Sequence, residues 1–382
     1  MAFHEGYPAD HRVRQWLVQW LAMAVKELRV VLLDKRARTT LVSSPLIQLF
    51  LFGMATTLEV TNIDIGVVNR DNGRAAEQVL AGLQGANAVD EIRYYPDVAA
   101  LNRGIERREI LAGIALPPDL SADVAAGRPA QVMALYDGRR INAARVTAGY
   151  FDRIVRRAGA EVQPIQPRAG PRLESVSWFN RNLDYRWFTL PGMIAVITTV
   201  LVLSVSIQSF AREREFGTIG QLIVLPLTPL QLLLGKMVPA FLVGLVNAVT
   251  YAILIPVFFD VPFTGSFALL ALGIVIFAFS IASIGMIVSV LADNQQQAFL
   301  GGFLVIVPLI LLSGYVSPVD NMPDWLAVVA RIDPLQHMVF ICHGIFLKDL
   351  GWGTVSPHLF AMAAVGFSSV SIAYILLRLR RG

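Results

Sequence analysis

FAREREFGTIGQLIVLPLTPLQLLLGK, residues 210–236, sets four alternating charges, Arg212, Glu213, Arg214 and Glu215, between two long apolar runs. Two Thr-x-x-Gln patterns follow. Thr218-Ile219-Gly220-Gln221 has the form of a capping box, in which the Thr hydroxyl takes an orphan helix N–H and the Gln reaches back. Gly217 before it frees the chain to turn, and Pro226 ends the helix after one or two turns. Thr228-Pro229-Leu230-Gln231 repeats the device, with Pro229 at the first helical position, where its missing N–H costs nothing. The stretch predicts a short helix with Ile219, Leu222 and Ile223 on one face. A long apolar helix carrying Gly235 and Lys236 then begins. Charges at this density are expensive inside lipid, so the segment belongs at a membrane surface, in water or against a partner protein. On these residues alone, a lever moving with two spanning helices and an ordinary interfacial loop are equally good readings.

The surrounding chain supports a membrane setting. Its 382 residues are 55% hydrophobic and 16% charged. A soluble domain carries about 25% charged residues. Mean hydropathy is +0.57. Residues 59–186 hold an ordinary polar mix, whereas 39–58 and most of 187–378 are apolar. The expected fold is a polytopic α-helical membrane protein: six transmembrane helices with an extracytoplasmic α/β domain between spans 1 and 2. The first span is TTLVSSPLIQLFLFGMATTL (39–58), and 187–209, 232–258, 266–291, 297–316 and 357–377 follow.

Before the first span, residues 1–38 include an amphipathic helix over 13–36. Trp16, Leu17, Trp20, Leu21, Ala24 and Leu28 recur at helical spacing among Arg14, Lys26, Glu27, Arg29 and Lys35. Such a helix lies in the headgroup region. Basic residues set the orientation. Lys35, Arg36 and Arg38 precede span 1; Arg212, Arg214 and Lys236 lie between spans 2 and 3; Arg378, Arg380 and Arg381 follow span 6. All fall on one side, which is expected to be cytoplasmic, with both termini there.

The insertion alternates strand-like and helical runs: 63–69, 74–84, 92–95, 97–109, 111–117, 118–127, 130–138 and 141–159. That order predicts a small α/β domain. It has no GxGxxG, GxSxG or metal-ligand spacing and reads as a binding or assembly module.

Several functions are disfavoured. The pI near 9.3 reflects basic residues scattered or flanking spans, without the run that nucleic-acid binding needs. One cysteine, Cys342, precludes an intramolecular disulfide framework and a CxxC site. Gly235-Lys236 is followed by Met237 and lacks a glycine five residues before it, so it is not a P-loop. The span cores carry only Gln48, Gln208 and Asn247 as prominent polar residues, with Asp260, Asp293 and Lys236 at ends. This argues against an ion-coupled secondary exporter. A non-transporting receptor or assembly factor, working through its external domain, is the other alternative. His337, Cys342 and His343 have no recognised metal spacing. Residues 316–356, broken by Pro318, Pro323 and Pro334, read as a re-entrant segment forming either an external gate or a surface cap.

Residues 212–240, REREFGTIGQLIVLPLTPLQLLLGKMVPA, resemble the hallmark of ABC type-two (ABC-2) exporter permeases, the membrane subunits of ATP-binding-cassette exporters. Arg212, Glu213, Glu215, Gly217, Thr218, Leu222, Pro226, Gly235 and Lys236 match it. The likeness extends along the chain. It takes in the amphipathic start, WFNRNLDYRWFTLPG (178–192), YDGRRINAARVTAGY (136–150) and the turn LLSGYVSPVDNMPDWL (311–326), with Gly314, Pro318, Met322 and Pro323. Leu225 stands where the family often has Thr or Met. The order resembles the subgroup with a large external domain, the drug or multidrug exporter permeases. The resemblance implies a coupling helix near 212–227, with Arg214 and Gln221 beside the matched residues. That helix docks on separate ABC ATPase subunits, which bind ATP and Mg, so the permease carries no cofactor or catalytic residue. It further implies a second permease copy or homologue, contact with membrane lipids and a bacterial inner-membrane location. The external domain is expected to meet a periplasmic adaptor or receive substrate.

Overall fold

The amphipathic start of the chain forms helix α1 (Ala9–Leu33), and a break at Asp34 leads into α2 (Lys35–Ala55). The protein, seen in a computed structural model, is described for residues 9–55, 63–86, 89–137, 141–162 and 184–380. Two units result, Met1–Thr56 with Trp178–Gly382, and Thr57–Ser177.

The inserted unit runs β1 (Ile63–Asn69), α3 (Arg74–Gln84), β2 (Val89–Tyr94), α4 (Val98–Glu106), β3 (Ala112–Leu116), α5 (Leu120–Ala125), β4 (Met133–Tyr136) and α6 (Ile141–Val162). The strand order is β2-β1-β3-β4, with β1 parallel to both neighbours and β4 antiparallel to β3. Strand β1 is nearly all buried, as a central parallel strand covered on both faces should be. Ile65, Val67 and Ile114 pack with Val79 and Leu83 of α3 and Phe151 of α6. At the end of β1, the Asp71 carboxylate accepts from Gly73 N (3.1 Å), Ser121 N (2.8 Å) and the Ser121 hydroxyl, tying the β1–α3 turn to α5.

The chain continues through α7 (Tyr185–Glu215), α8 (Ile219–Val224), α9 (Pro229–Phe259), α10 (Phe267–Leu291) and α11 (Gln295–Leu312). The short α12 (Asp324–Ala330), then α13 (Pro334–Leu347) and α14 (Trp352–Leu379), complete it. Side-chain caps start four of the long helices: Asp184 for α7, Thr228 for α9, Ser266 for α10 and Asn294 for α11. Helix α7 is central, packed against α9, α10, α11 and α13. Hydroxyls join the helices: Ser206 donates to Ala282 O (2.7 Å), Ser280 to Met362 O (2.6 Å), and Phe210 N–H to Ser289 (2.8 Å). Such bonds hold helices together where no hydrophobic force separates protein from lipid.

Among the described residues, α7, α9, α10, α11 and α14 are long and apolar enough to cross a membrane, and α12 with α13, bent by 78°, makes up to six. This is a polytopic helical membrane protein. The expected first span, 39–58, is described only as far as Ala55: α2 carries an apolar stretch over Leu41–Met54, and 56–58 lie outside the described residues.

Candidate functional site

The end of the bundle carrying residues 209–236 holds a dense polar cluster, and its construction starts at Thr228. The Thr228 hydroxyl accepts from Gln231 N (3.2 Å), and the Gln231 side chain accepts from Thr228 N (2.7 Å), completing the expected capping box. Gln231 is fully buried. Its amide donates to Trp16 O (2.9 Å) and Gln19 Oε1 (3.1 Å), fastening α1 to the start of α9. One turn on, a Cβ at Gly235 would lie 2.8 Å from Met23 Cγ, so only glycine lets α1 lie this close.

Lys236 follows, and its side chain is completely buried. Its Nζ donates to Glu27 Oε1 at 3.0 Å, Glu213 Oε1 at 3.1 Å and Ser209 O at 3.3 Å. The Phe210 ring lies below, with Nζ 5.4 Å from its centroid. On the open side, Lys26 donates to the same Glu27 and Glu213 oxygens at 2.8 and 3.1 Å. Two ammonium groups thus meet two carboxylates. Burying any one alone would be strongly unfavourable, but the set is balanced. Partial burial alone lowers the Lys26 ammonium; the Glu27 and Glu213 carboxylates outweigh it and hold it above the ordinary lysine range.

Thr218 corrects a sequence expectation. No side-chain cap forms at α8; the Thr218 hydroxyl donates instead to the Glu213 carboxylate. A carboxylate is the stronger acceptor, and the left-handed turn at Gly217 (φ +70°) brings the two together. Gln221 is exposed.

The alternating charges of 212–215 point in different directions because successive helix residues are about 100° apart. Glu213 faces α1 and α9. Arg214 Nη1 reaches Val290 O (2.7 Å) and Ala292 O at the end of α10, which Arg380 also contacts at Val290 O (3.1 Å). Cations suit these unsatisfied helix-terminal carbonyls. Exposed Glu215 accepts from Gln295 N (2.8 Å) at the start of α11. Arg212 is half-buried, with no ion pair or hydrogen bond among the described residues.

On α8, Leu222 is buried in the bundle core and partly buried Ile219 packs against that core. The Ile223 side chain lies outside the described residues. The exposed apolar residues are Phe216 (67%), Val224 (84%) and Leu225 (45%), beside exposed Gly217, Gly220 and Pro226. Because α8 is under two turns long, flanking residues supply most of the exposed surface around it.

At the far end of α11, Gly314 is left-handed (φ +79°), and Pro318 and Pro323 precede a 3₁₀ turn (Val319–Asn321) and α12, with Met322 between. Tyr315 stacks near-parallel on Phe188, and its hydroxyl donates to Thr189 O (3.3 Å). The turn is thereby closed onto the start of α7. His337 pairs with His358 (2.8 Å), His343 stacks on Phe188, and Cys342 is fully buried and free, so these three do not converge. Among the described residues no group of three potential ligands could hold a metal ion.

The sequence did not single out Lys26, Glu27, Gln19 or Ser209 as partners. A usable signal was present: Glu27 is a lone carboxylate continuing the stripe Trp16, Trp20, Met23 and Ala24 of α1.

Comparison with known proteins bears on this geometry. The model of the ABC-2 family transporter protein matches residues 35–375. The probable multidrug ABC transporter permease YbhR of Escherichia coli is 37% identical over 355 residues, covering 92% of this chain and 96% of its own length. The inner membrane transport permease YhhJ of Escherichia coli is 27% identical over 365 residues, covering 94% and 96%. With a family model spanning α2, the insertion and nearly all of the helices that follow it, the chain belongs to the ABC-2 family of transporter proteins.

Proposed function

We propose that the chain is the permease subunit of an ABC exporter, moving substrate outward across the bacterial inner membrane while separate subunits hydrolyse ATP. The observation that carries this reading is the cluster at Lys236, which joins α1, α7, α9 and, through Thr218, the lead into α8. A push on α8 is passed to three other helices through buried polar contacts instead of being lost in a loop. The exposed patch of Phe216, Val224 and Leu225 gives an ATPase groove something apolar to grip. The residues of this segment then divide in role: Glu213, Arg214, Thr218 and Leu222 transmit inward, Glu215, Gly217, Gln221 and Pro226 border the docking face, and Arg212 lines the cleft beside α1.

In this reading α2 is the first span. Its 21 residues reach about 31 Å at 1.5 Å per residue. Helices α12 and α13 form a re-entrant hairpin on the outer side. The basic clusters place both termini in the cytoplasm and the α/β unit outside, where it meets an adaptor or receives substrate. Two permease copies, or this chain and a homologue, pair with two ATPase subunits. The relative's name suggests drug-like substrates for this chain too.

The test is a mild-detergent pull-down from native membranes of the wild type, Glu215→Arg and Val224→Asp. An ABC ATPase subunit should accompany the wild type and be lost from both variants. Absence of any ATPase from all three samples, or its undiminished presence in both variants, would sink the coupling assignment.

A further inference from the structure

One face of α7, carrying Ile197, Val200, Leu201, Ser204, Val205 and Gln208, repeats every three or four residues and lines a cavity of about 530 Å³. Val30 and Leu41 of α1 and α2 form part of the opposite wall, and Pro239 of α9 lies beside them. Along α7 the lining runs from apolar Ile197, Val200 and Leu201 to charged Arg212 and Glu213, where Lys26, Glu27 and Lys236 gather, and Ser44 and Gln48 of α2 add polar groups to the wall.

The charges at that end do not all cancel internally. Glu27 and Glu213 are matched by Lys236 and Lys26. Asp34, also at the wall, has a partner of its own. Arg212 has none among the described residues. A half-buried guanidinium beside an apolar wall favours an oxyanion, and its planar fork matches phosphate oxygens. Lys26, 46% exposed at its side chain, is already matched by Glu27 and Glu213 but has a third ammonium N–H to offer at the same end. Length agrees with charge. From Gln208 to Ile197, α7 rises about 17 Å at 1.5 Å per residue, close to half of the roughly 30 Å hydrocarbon core.

We propose that this cleft binds an anionic phospholipid of the surrounding leaflet, its phosphate against Arg212 and Lys26 and an acyl chain along Val200, Leu201 and Val205. Gln208 and Ser204 lie between the two ends, at the depth of the ester groups. The site rests on the chemistry of its walls and stands apart from the coupling assignment, so a failed ATPase pull-down leaves it untouched.

The test is native mass spectrometry of the purified full-length chain, titrated with phosphatidylglycerol, phosphatidylcholine or inorganic phosphate. The wild type should retain phosphatidylglycerol about tenfold more tightly than phosphatidylcholine, a free-energy difference of about 1.4 kcal/mol. Arg212→Gln should remove that preference, Arg212→Lys should keep most of it, and Val200→Trp should block both lipids by filling the cleft. Equal retention of the two lipids by the wild type overturns the proposal, as does an undiminished preference in Arg212→Gln. Displacement of bound lipid by millimolar phosphate would make this a free-anion site and overturn the lipid assignment. Cross-linking of Val200→Cys between two copies in native membranes would place a second chain over the cleft, with the same consequence. That readout is clean because Cys342, the one native cysteine, is buried.

Discussion

Lys236 Nζ lies 3.0 Å from Glu27 Oε1, across 209 positions of sequence. The amphipathic helix α1 is therefore pinned to the bundle by a charge pair as well as by its apolar face. Because Lys236 is fully buried, truncation leaves Glu27 and Glu213 with only half-exposed Lys26. Lys236→Met should cost roughly 3–5 kcal/mol, the usual loss when one member of a buried ion pair is removed. The measurement is the midpoint of thermal aggregation in detergent. Adding Glu213→Gln to Lys236→Met should cost less than the sum of the single changes, because they share one network. Strict additivity would contradict the network.

The two Thr-x-x-Gln patterns look alike but carry opposite loads. Gln231 is buried and reaches α1, whereas Gln221 is exposed. Gln231→Ala should destabilise by about 2–3 kcal/mol, since Gln19 and the Trp16 carbonyl lose their donor. Gln221→Ala should stay within about 0.5 kcal/mol. Unfolding midpoints of the two variants side by side decide this, and equal effects would count against the described contacts.

Gly235 is a packing requirement. Gly235→Val drives side-chain atoms into Met23 and should separate α1 from α9. Limited proteolysis within residues 13–33 should then accelerate at least several-fold, while cleavage elsewhere is unchanged. Wild-type protection of α1 in this variant would show that the close approach is dispensable.

In the α/β unit, burial pushes the Asp71 carboxyl up, but the Ser121 hydroxyl and the N–H groups of Ser121, Gly73 and Asn72 more than offset it. The carboxyl is held below its ordinary value of 3.8. The unfolded chain therefore binds this proton more readily. The stability Asp71 contributes is present above about pH 4 and is lost as pH falls through its lower folded value. Asp71→Asn should lower the unit's stability by about 1–3 kcal/mol at neutral pH. The gap to the wild type should narrow as pH drops from 5 towards 3, followed by hydrogen exchange of β1 and α5. A gap that widened with acid would reverse the assigned direction.

Local signals made much of the fold legible. The 63–69 and 74–84 runs, Asp97 before α4, Asn294 before α11 and the Thr228 box all lie where periodicity or capping chemistry sets them. The site was less legible because its decisive contacts are non-local. Nothing near Lys236 indicates that Glu27 will neutralise it. Thr218 looked like a cap because residues 218–221 fit the pattern, but the Glu213 carboxylate, brought round by Gly217, was a better acceptor. Which side of α8 faces the core was not legible either, because a helix of under two turns has too few positions to reveal it; Leu222 is the one buried.

The opposed reach of Glu213 and Arg214, one towards α1 and α9 and the other towards α10, also governs how this segment tolerates changes in length. A single residue inserted between Ser209 and Glu213 would rotate the downstream charges by about 100° and shift them by about 1.5 Å. The carboxylate would leave Lys236 as the guanidinium left the Val290 carbonyl. Substitutions here can be compensated one at a time, but insertions and deletions cannot. Close to a connecting loop, where variation in length is ordinarily absorbed, the end of α7 should carry the indel intolerance of a protein core.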